Sequence, residues 1–267
     1  MRFLLIITCL LLSACSSVAL QREEFSEFVK YEIQADPFLL TSYERVVKKG
    51  GTANIYIEGD GRAWLSKSRP SLDPTPKNPL TLKLAQIDPA LNVIYLARPC
   101  QYSKLVEQGA CPQKYWTSHR FAPEVIEAMD IALDDMKQQH QIKSFNLIGY
   151  SGGGNIAALL TARRDDVVSL RTVAGNLDHE LQSNIHKVSL MPHSLNAKDV
   201  ASDIAHIPQI HFVGAQDKIV PIELAESYKW SGNSHCIENK IVPNVDHHRG
   251  WQENWINLLN QQLPDCR

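Results

Sequence analysis

Short apolar runs alternate with amphipathic stretches through most of the chain. Such runs, rich in β-branched residues, are typical of strands buried on both faces. They occur at 92–97, 144–148, 167–173, 209–213 and 239–242. Apolar residues at helical spacing predict helices over 80–87, 122–140, 155–163, 222–228 and 251–263. This alternation predicts an α/β fold, with a mostly parallel central sheet covered by helices on both faces.

The remaining segments carry weaker patterns. Two earlier strands are predicted at 38–43 and 53–57, and a short amphipathic helix at 22–30. Residues 66–79 are rich in Pro and Ser and are interpreted as a loop. Residues 176–207 have few strong signals. We expect them to form a small cap near the functional site, where substrate selectivity could reside.

The residues up to Cys15 differ from the rest of the chain. An apolar run at 3–12 is too short to span a bilayer and ends in the Leu-Ser-Ala-Cys sequence of residues 12–15. This ending resembles the lipobox of bacterial lipoproteins. The resemblance implies cleavage before Cys15 and attachment of lipid to it, which would anchor the chain to a membrane. Ordinary secretion with cleavage nearby, or an uncleaved anchor, are the alternatives.

The residue after the lipobox bears on location. Ser16 follows Cys15, whereas an Asp there would resemble a signal for retention at an inner membrane. We therefore expect a protein of the bacterial cell envelope, with the outer membrane favoured. The folded domain would lie in the periplasm or at the cell surface.

Four further cysteines follow the lipobox. Cys100, Cys111, Cys236 and Cys266 are an even number, which suits disulfide bonds in an oxidising compartment. Three pairings are possible, and locality favours Cys100 with Cys111 and Cys236 with Cys266. No CxxC or HxxxH spacing supports a metal site, so none is expected.

The amino-acid composition limits the classes of molecule that the protein is expected to bind. The chain has 267 residues, 44% hydrophobic and 21% charged, with a formal net charge of −2. These values suit one soluble globular core and offer no electrostatic basis for binding nucleic acid. They do not indicate an oligomeric state.

The strongest chemical motif is the Gly-x-Ser-x-Gly sequence at residues 149–153. It stands where a buried strand meets a helix, so the serine lies in a sharp turn that presents its Oγ above the sheet. Small residues are needed two positions before and after Ser151, because the turn brings those positions together. A glycine-rich turn that only starts a helix or binds an anion is the alternative.

Ser151 in this setting, an Asp-bearing turn after a later strand, and a histidine loop after the last strand resemble the α/β-hydrolase superfamily. The resemblance covers about residues 38 to 263. It implies Ser151 as nucleophile, Asp217 as acid and His247 as base. His248 is the alternative base, and Asp178 the alternative acid.

The same resemblance implies an oxyanion hole. One donor would be the backbone N–H of Gly152, and the second would come from the loop after an early strand, at residues 58–61. The backbone N–H of Asp60 is the preferred second donor, and that of Gly59 is the alternative. Glu58 stands where the superfamily often has His. A carboxylate that pointed into an oxyanion hole would be unfavourable, so we expect the Glu58 and Asp60 side chains to point away or to bind Arg62 or Arg98.

Together these features divide the chain into a signal peptide at 1–14, a lipidated tether and helix at 15–30, and an α/β-hydrolase domain at 31–267. The predicted function is a serine hydrolase that cleaves an acyl ester of a small molecule or lipid, with no cofactor. A thioesterase, peptidase or acyltransferase could use the same residues. A non-catalytic envelope lipoprotein that binds a partner or lipid is the alternative of another class.

Overall fold

A computed structural model describes residues 27–66, 68–107 and 109–266 of the protein. The predicted signal peptide and Cys15 lie outside these residues, as does 22–26, the first part of the predicted N-terminal helix. Within the described ranges, no helix combines the length and the apolar character that crossing a bilayer requires.

From β6 onward, the main strands and helices alternate along the chain as the hydrophobic pattern predicts. The strands are β1 (Val29–Ala35), β2 (Phe38–Val46), β3 (Thr52–Ile57), β4 (Trp64–Ser66), β5 (Arg69–Pro70), β6 (Asn92–Leu96), β7 (Ser144–Tyr150), β8 (Val167–Val173), β9 (Gln209–Gly214) and β10 (Ile237–Val242). The α-helices are α1 (Leu80–Gln86), α2 (Lys104–Glu107), α3 (Pro123–His140), α4 (Gly152–Thr161), α5 (His179–His186), α6 (Ile222–Gly232) and α7 (Trp251–Leu259). Two 3-10 turns lie at Gln113–Trp116 and Ala197–Val200.

Eight of these strands form one central sheet in the order β1-β2-β6-β3-β7-β8-β9-β10. Neighbouring strands from β6 to β10 across this order are parallel, whereas β2 is antiparallel to both β1 and β6. The central strands are apolar almost throughout because both of their faces are covered. The predicted fold class, a mostly parallel sheet in an α/β-hydrolase arrangement, is confirmed.

Helices cover the sheet on both faces. Helices α3, α4 and α6 contribute to one hydrophobic cluster, and α1 and α7 contribute to a second. Trp251 and Trp255 of α7 are fully buried, and the Trp255 indole N–H donates to the Tyr56 hydroxyl on β3 at 3.0 Å. The C-terminal helix is thereby fixed against the middle of the sheet.

The described end of the predicted helix at 22–30 is a strand instead. Val29 and Lys30 begin β1, which pairs with β2 through a tight hairpin. The reason is a period of two: Ile33 and Ala35 are buried and alternate with exposed residues, and this pattern outweighs a few apolar residues at helical spacing.

The four cysteines after the lipobox are joined in the pairing that locality favours. Cys100 is bonded to Cys111, and Cys236 is bonded to Cys266. The first bond closes a loop after β6. The second joins the start of β10 to the end of the described chain, beyond α7.

Candidate active site

Three side chains that are far apart in sequence follow the ends of three parallel strands. Ser151 follows β7 directly, Asp217 lies just beyond β9, and His247 lies in the loop after β10. Parallel strands place all of their carboxyl ends at the same edge of a sheet, where α/β proteins form their binding crevices. The topology alone therefore brings these side chains to one place.

The Ser151 backbone adopts an unusual conformation at the turn between β7 and α4. Its φ is 50° and its ψ is −120°. Residues other than glycine rarely adopt such a positive φ, and the packing around the turn offsets the free-energy cost of this backbone strain. A Cβ on Gly149 would lie 2.3 Å from the Gly153 carbonyl oxygen, and one on Gly153 would lie 2.3 Å from the Ile57 carbonyl oxygen. The two glycines of the motif are therefore steric requirements of the turn.

A continuous hydrogen-bonded chain links the serine, the histidine and the aspartate. Ser151 Oγ lies 3.1 Å from His247 Nε2, and His247 Nδ1 lies 2.8 Å from Asp217 Oδ2. His247 is 5% exposed and Asp217 is 7% exposed, so both act in a largely dry setting. In such an arrangement the carboxylate fixes the imidazole tautomer, which leaves Nε2 free to accept a proton from the hydroxyl.

The second oxygen of the Asp217 carboxylate is held by the backbone. Oδ1 accepts hydrogen bonds from the N–H groups of Ile219 at 2.8 Å and Val220 at 2.9 Å. The aspartate thus organises its own turn while it orients the imidazole. This local chemistry explains why an Asp, rather than any acidic residue, suits the position.

The adjacent histidine occupies a different position. His248 Nδ1 lies 2.9 Å from the Tyr150 hydroxyl, which also donates to the His247 carbonyl oxygen at 3.1 Å. Burial and the neighbouring imidazole of His247 lower the pKa of His248. His248 lines the cleft, but it is His247 that meets the serine, in keeping with the preferred assignment.

The alternative acid, Asp178, lies away from both histidines. Its carboxylate accepts hydrogen bonds from the Leu181 N–H, the Asn196 amide and the Ser227 hydroxyl, and it pairs with Lys198. These contacts make it the N-cap of α5 and a link to α6. The structure therefore corrects the suggestion that Asp178 could serve as the acid.

Of the two candidate oxyanion donors in the loop after β3, one N–H already has an acceptor and the other has none in the described parts of the chain. The Gly59 N–H donates to the Glu58 Oε1 at 2.8 Å, so it is already engaged, which corrects its proposed role. The Asp60 N–H has no acceptor in the part of the chain that the structure describes. Gly152 begins helix α4, where backbone N–H groups lack intrahelical acceptors. Gly152 and Asp60 are thus the pair that remains.

Glu58 acts as a buried hydrogen-bond acceptor beneath this loop. Beyond the Gly59 N–H, it accepts from the Thr81 hydroxyl at 2.8 Å and from the Tyr95 hydroxyl at 3.1 Å. Burial raises the pKa of Glu58, although these hydrogen bonds oppose the rise. The expected pairing of Glu58 with an arginine does not occur, because three neutral donors satisfy the carboxylate.

The Asp60 carboxylate is turned toward two arginines. It pairs with Arg98, and its Oδ2 lies 2.7 Å from the Arg120 guanidinium. Burial opposes ionisation of Asp60, but the charges of Arg120 and Arg98 prevail and lower its pKa. The Asp60 carboxylate and the Arg98 guanidinium both adjoin Gly152, since a Cβ on that glycine would lie 2.1 Å from Asp60 Oδ1 and 2.8 Å from an Arg98 guanidinium nitrogen.

The loop after β6 fixes the loop after β3. Gln101 Nε2 donates to the Gly59 carbonyl oxygen at 2.9 Å, and Gln101 Oε1 accepts from the Arg98 N–H at 3.1 Å. The disulfide at Cys100 adjoins this contact. This contact was not identified in the sequence analysis, since a hydrogen bond across 42 residues leaves no local signal.

These groups face a cleft of about 600 Å³. Its lining comes from the loop between β3 and α1, from the ends of β7, β9 and β10, and from Arg120; it includes Glu58, Asp60, Arg62, Trp64, Lys77, Leu80, Tyr150, Ser151, Ile219, His247 and His248. No residue of 176–207 is among those that line it. That segment packs against α4 and α6 instead, for example through the Ala197 N–H and Asn155 Oδ1 at 2.7 Å.

Metal-ligating side chains do not cluster in the described residues, where no group of three or more His, Cys, Asp or Glu side chains could hold an ion.

Several solved structures have a similar fold. The structure resembles the esterase Pf2001 of Pyrococcus furiosus at a TM-score of 0.64 with 13% identity, covering 89% of this chain and 92% of that one. It resembles Est1E of Butyrivibrio proteoclasticus at a TM-score of 0.61 with 13% identity, covering 86% of this chain and 95% of that one. It also resembles an alpha-beta serine hydrolase homologue from Coxiella burnetii at a TM-score of 0.56 with 16% identity, covering 86% of this chain and 93% of that one.

At these identities the structural likeness concerns the fold. No curated protein sequence matches the chain. The sequence model of the serine hydrolase (FSH1) family matches residues 82–248, which is more than half of the chain and includes Ser151, Asp217 and His247. The chain therefore belongs to the serine hydrolase (FSH1) family.

Proposed function

We propose that this serine hydrolase cleaves acyl esters through a covalent acyl-enzyme, with Ser151 as nucleophile, His247 as general base and Asp217 as the acid that orients it. The observation that carries the proposal is the unbroken contact from Ser151 Oγ to His247 Nε2 and from His247 Nδ1 to Asp217 Oδ2. The position of this contact at the floor of a cleft supports it further.

The reaction would proceed in two halves. Ser151 Oγ attacks the acyl carbonyl while its proton moves to His247 Nε2, and the carbonyl oxygen becomes an anion. The N–H groups of Gly152 and Asp60 are the donors we assign to that oxygen. Collapse of the intermediate breaks the ester bond, and the alcohol leaves with the proton from His247. Water then attacks the acyl-enzyme by the same route and releases the carboxylic acid.

Labelling by a fluorophosphonate probe tests the nucleophile. The wild-type protein should be labelled, and Ser151→Ala should not be, while Ser202→Ala, a change at an exposed serine, should be labelled like wild type. Hydrolysis of 4-nitrophenyl butyrate should fall by several orders of magnitude in Ser151→Ala alone. Equal labelling of Ser151→Ala and wild type would refute the assignment.

The nature of the acyl bond is tested by a panel of esters, thioesters and amides with the same acyl group. An ester preference supports the proposal, and a higher kcat/KM for thioesters or amides would replace it by a thioesterase or peptidase. Competing alcohols that divert the acyl group would identify an acyltransferase. A folded protein that neither reacts with the probe nor turns over any of these substrates would favour the non-catalytic binding function.

We also propose that the domain is tethered to the bacterial cell envelope through lipid on Cys15. The Leu-Ser-Ala-Cys sequence supports this, and two disulfide bonds are consistent with an oxidising compartment. Expression with labelled palmitate should mark the wild-type chain and leave Cys15→Ala unmarked. Incorporation of label into Cys15→Ala would contradict the tether.

A further inference from the structure

The walls of the cleft carry charge that the proposed reaction does not use. Five charged residues other than histidine line it: Glu58, Asp60, Arg62, Lys77 and Arg120. The two acidic side chains are engaged within the fold, Glu58 by three neutral donors and Asp60 by Arg98 and Arg120. The Arg120 side chain is therefore already paired with an acidic residue of the fold, Asp60.

The two remaining cations of the lining are Arg62 and Lys77. Arg62 and Lys77 are exposed, and neither side chain has a carboxylate or hydrogen-bond partner among the residues that the structure describes. Asp73, an acid of the same loop, does not line the cleft and accepts a hydrogen bond from the Thr75 N–H at 2.8 Å. Among the described residues, the cleft thus has two exposed positive charges without an acidic partner.

A backbone contact joins the two segments that carry these cations. The Arg62 N–H donates to the Pro74 carbonyl oxygen at 2.8 Å, which brings the outgoing arm of the loop against the arm that leads to Lys77. Further along, the Trp64 and Ser66 ends of β4 pair with β5. The loop is therefore closed by backbone contacts, and both Arg62 and Lys77 line the cleft.

The uncharged part of the cleft lining is mostly apolar. Ala63, Trp64, Pro76, Leu80 and Ile219 line the cleft, together with Asn78. An apolar lining that also contains two exposed cations matches a ligand with a short apolar spacer and an anionic end. Low-dielectric walls also focus the field of such charges and attract oppositely charged substrates.

We propose, on the basis of the esterase function proposed above, that this site selects esters that carry an anionic group, such as a carboxylate, which Arg62 and Lys77 bind. Both residues act on specificity rather than on the chemical step. Both residues lie between β3 and α1, and His247 lies in a different loop, after β10. Their replacement therefore leaves the histidine loop itself unchanged.

The test compares two chromogenic esters of equal chain length, the 4-nitrophenyl half ester of adipic acid and 4-nitrophenyl hexanoate. The first ends in a carboxylate and the second in a methyl group. Wild type should show the higher kcat/KM for the adipate half ester. Arg62→Gln/Lys77→Gln should lower the ratio of the two kcat/KM values roughly five- to tenfold, the effect of removing two exposed charge contacts.

A matched control removes the same charge elsewhere. Lys48 and Lys143 are exposed and adjoin the amino ends of β3 and β7, at the opposite edge of the sheet. Lys48→Gln/Lys143→Gln should keep the wild-type ratio. Added salt should lower that ratio in wild type and in this control, because the Debye length shrinks from about 10 Å at 0.1 M to about 3 Å at 1 M.

The outcomes separate the inference from the function on which it rests. Hydrolysis of both esters without a preference, or an equal loss for both in Arg62→Gln/Lys77→Gln, would overturn the anionic selectivity and leave the esterase intact. A ratio that falls equally in the two double variants would attribute it to net charge and also overturn the inference. If wild type hydrolysed neither ester, the esterase proposal would fail, and the inference with it.

Discussion

At the scale of single residues, the site depends on side chains that do two tasks at once. Asp217 closes its own turn with one carboxylate oxygen and orients His247 with the other. Tyr150 packs against the His247 ring and binds the next histidine through its hydroxyl. Such double use fixes each rotamer, which matters because proton transfer requires groups within hydrogen-bond reach.

Replacement of the two candidate acids should separate catalysis from stability. Asp217→Asn should lower kcat by roughly 10³ to 10⁴-fold, because an amide favours the wrong imidazole tautomer. Asp178→Asn should keep kcat within about threefold and lower the free energy of unfolding by about 1–2 kcal/mol, since it weakens a helix cap. Ester hydrolysis and urea unfolding measure the two effects. The reverse pattern would reinstate Asp178 as the acid.

A buried histidine away from the site should govern part of the acid sensitivity. His211 on β9 is fully buried, with Nδ1 2.9 Å from the Thr172 hydroxyl. Burial, aided by the charge of Lys229, lowers its pKa from 6.5 to about 3. Between these values the unfolded chain binds a proton that the folded chain does not, so stability falls as the pH is lowered.

The expected size follows from linkage, at about 1.4 kcal/mol per pH unit, or about 2 kcal/mol between pH 6.5 and pH 5. His211→Asn should flatten the dependence of unfolding free energy on pH over this window, whatever its effect on stability at neutral pH. His235→Gln, a change at an exposed histidine, should leave the slope as in wild type. Parallel curves for wild type and His211→Asn would disprove the assignment.

At the scale of elements, loops rather than strands complete the site. The loop after β3 carries Asp60, and the loop after β6 holds it through Gln101. The loop between β3 and α1 lines the cleft, whereas residues 176–207 pack against helices. A rigid sheet therefore presents several short segments whose mutual contacts set the shape of the site.

Loss of the Gln101 contacts should affect the chemical step more than binding. Gln101→Met keeps the size of the side chain but leaves the buried Gly59 carbonyl and Arg98 N–H without their partner. We expect kcat for 4-nitrophenyl butyrate to fall roughly tenfold with little change in KM, equivalent to about 1.4 kcal/mol of transition-state stabilisation. Gln138→Met, an exposed change on α3, is the control. An unchanged kcat in Gln101→Met would show that the loop after β3 holds its position unaided.

At the scale of the whole molecule, the parallel sheet brings the site residues together, and one of the two disulfide bonds links β10 to the segment beyond α7. The carboxyl ends of β3, β6, β7, β9 and β10 meet along one edge. The bond between Cys236 and Cys266 closes a segment of 30 residues that contains α7 and the His247 loop. It therefore restrains the unfolded chain over the region that supplies the base.

Removal of this bond should lower global stability. Cys236→Ser/Cys266→Ser should lose roughly 3–4 kcal/mol of unfolding free energy, as expected for a closed segment of this length. Urea unfolding followed by tryptophan fluorescence measures it. Dithiothreitol should destabilise wild type and have no effect on a variant in which Cys100 and Cys111 are also replaced by Ser. Equal midpoints for wild type and Cys236→Ser/Cys266→Ser would show that the bond contributes nothing.

The sequence by itself determined the features that depend on local chemistry. Buried runs and helical spacing predicted the parallel sheet and most elements. The Gly-x-Ser-x-Gly turn and the order of Ser151, Asp217 and His247 indicated a hydrolase, because steric demands of a turn are visible over a few residues. The choice of Cys15 for lipid attachment depends on sequence alone and stays a prediction.

Only the tertiary structure decided contacts between distant segments. Ser151 and His247 are 96 residues apart, and which of two adjacent histidines meets the serine depends on strand register and loop path. The same holds for Gly59, whose N–H is taken by Glu58, and for Asp178, which caps a helix. Donors and acceptors are satisfied by whatever the fold brings near, so their partners cannot be deduced from residue type.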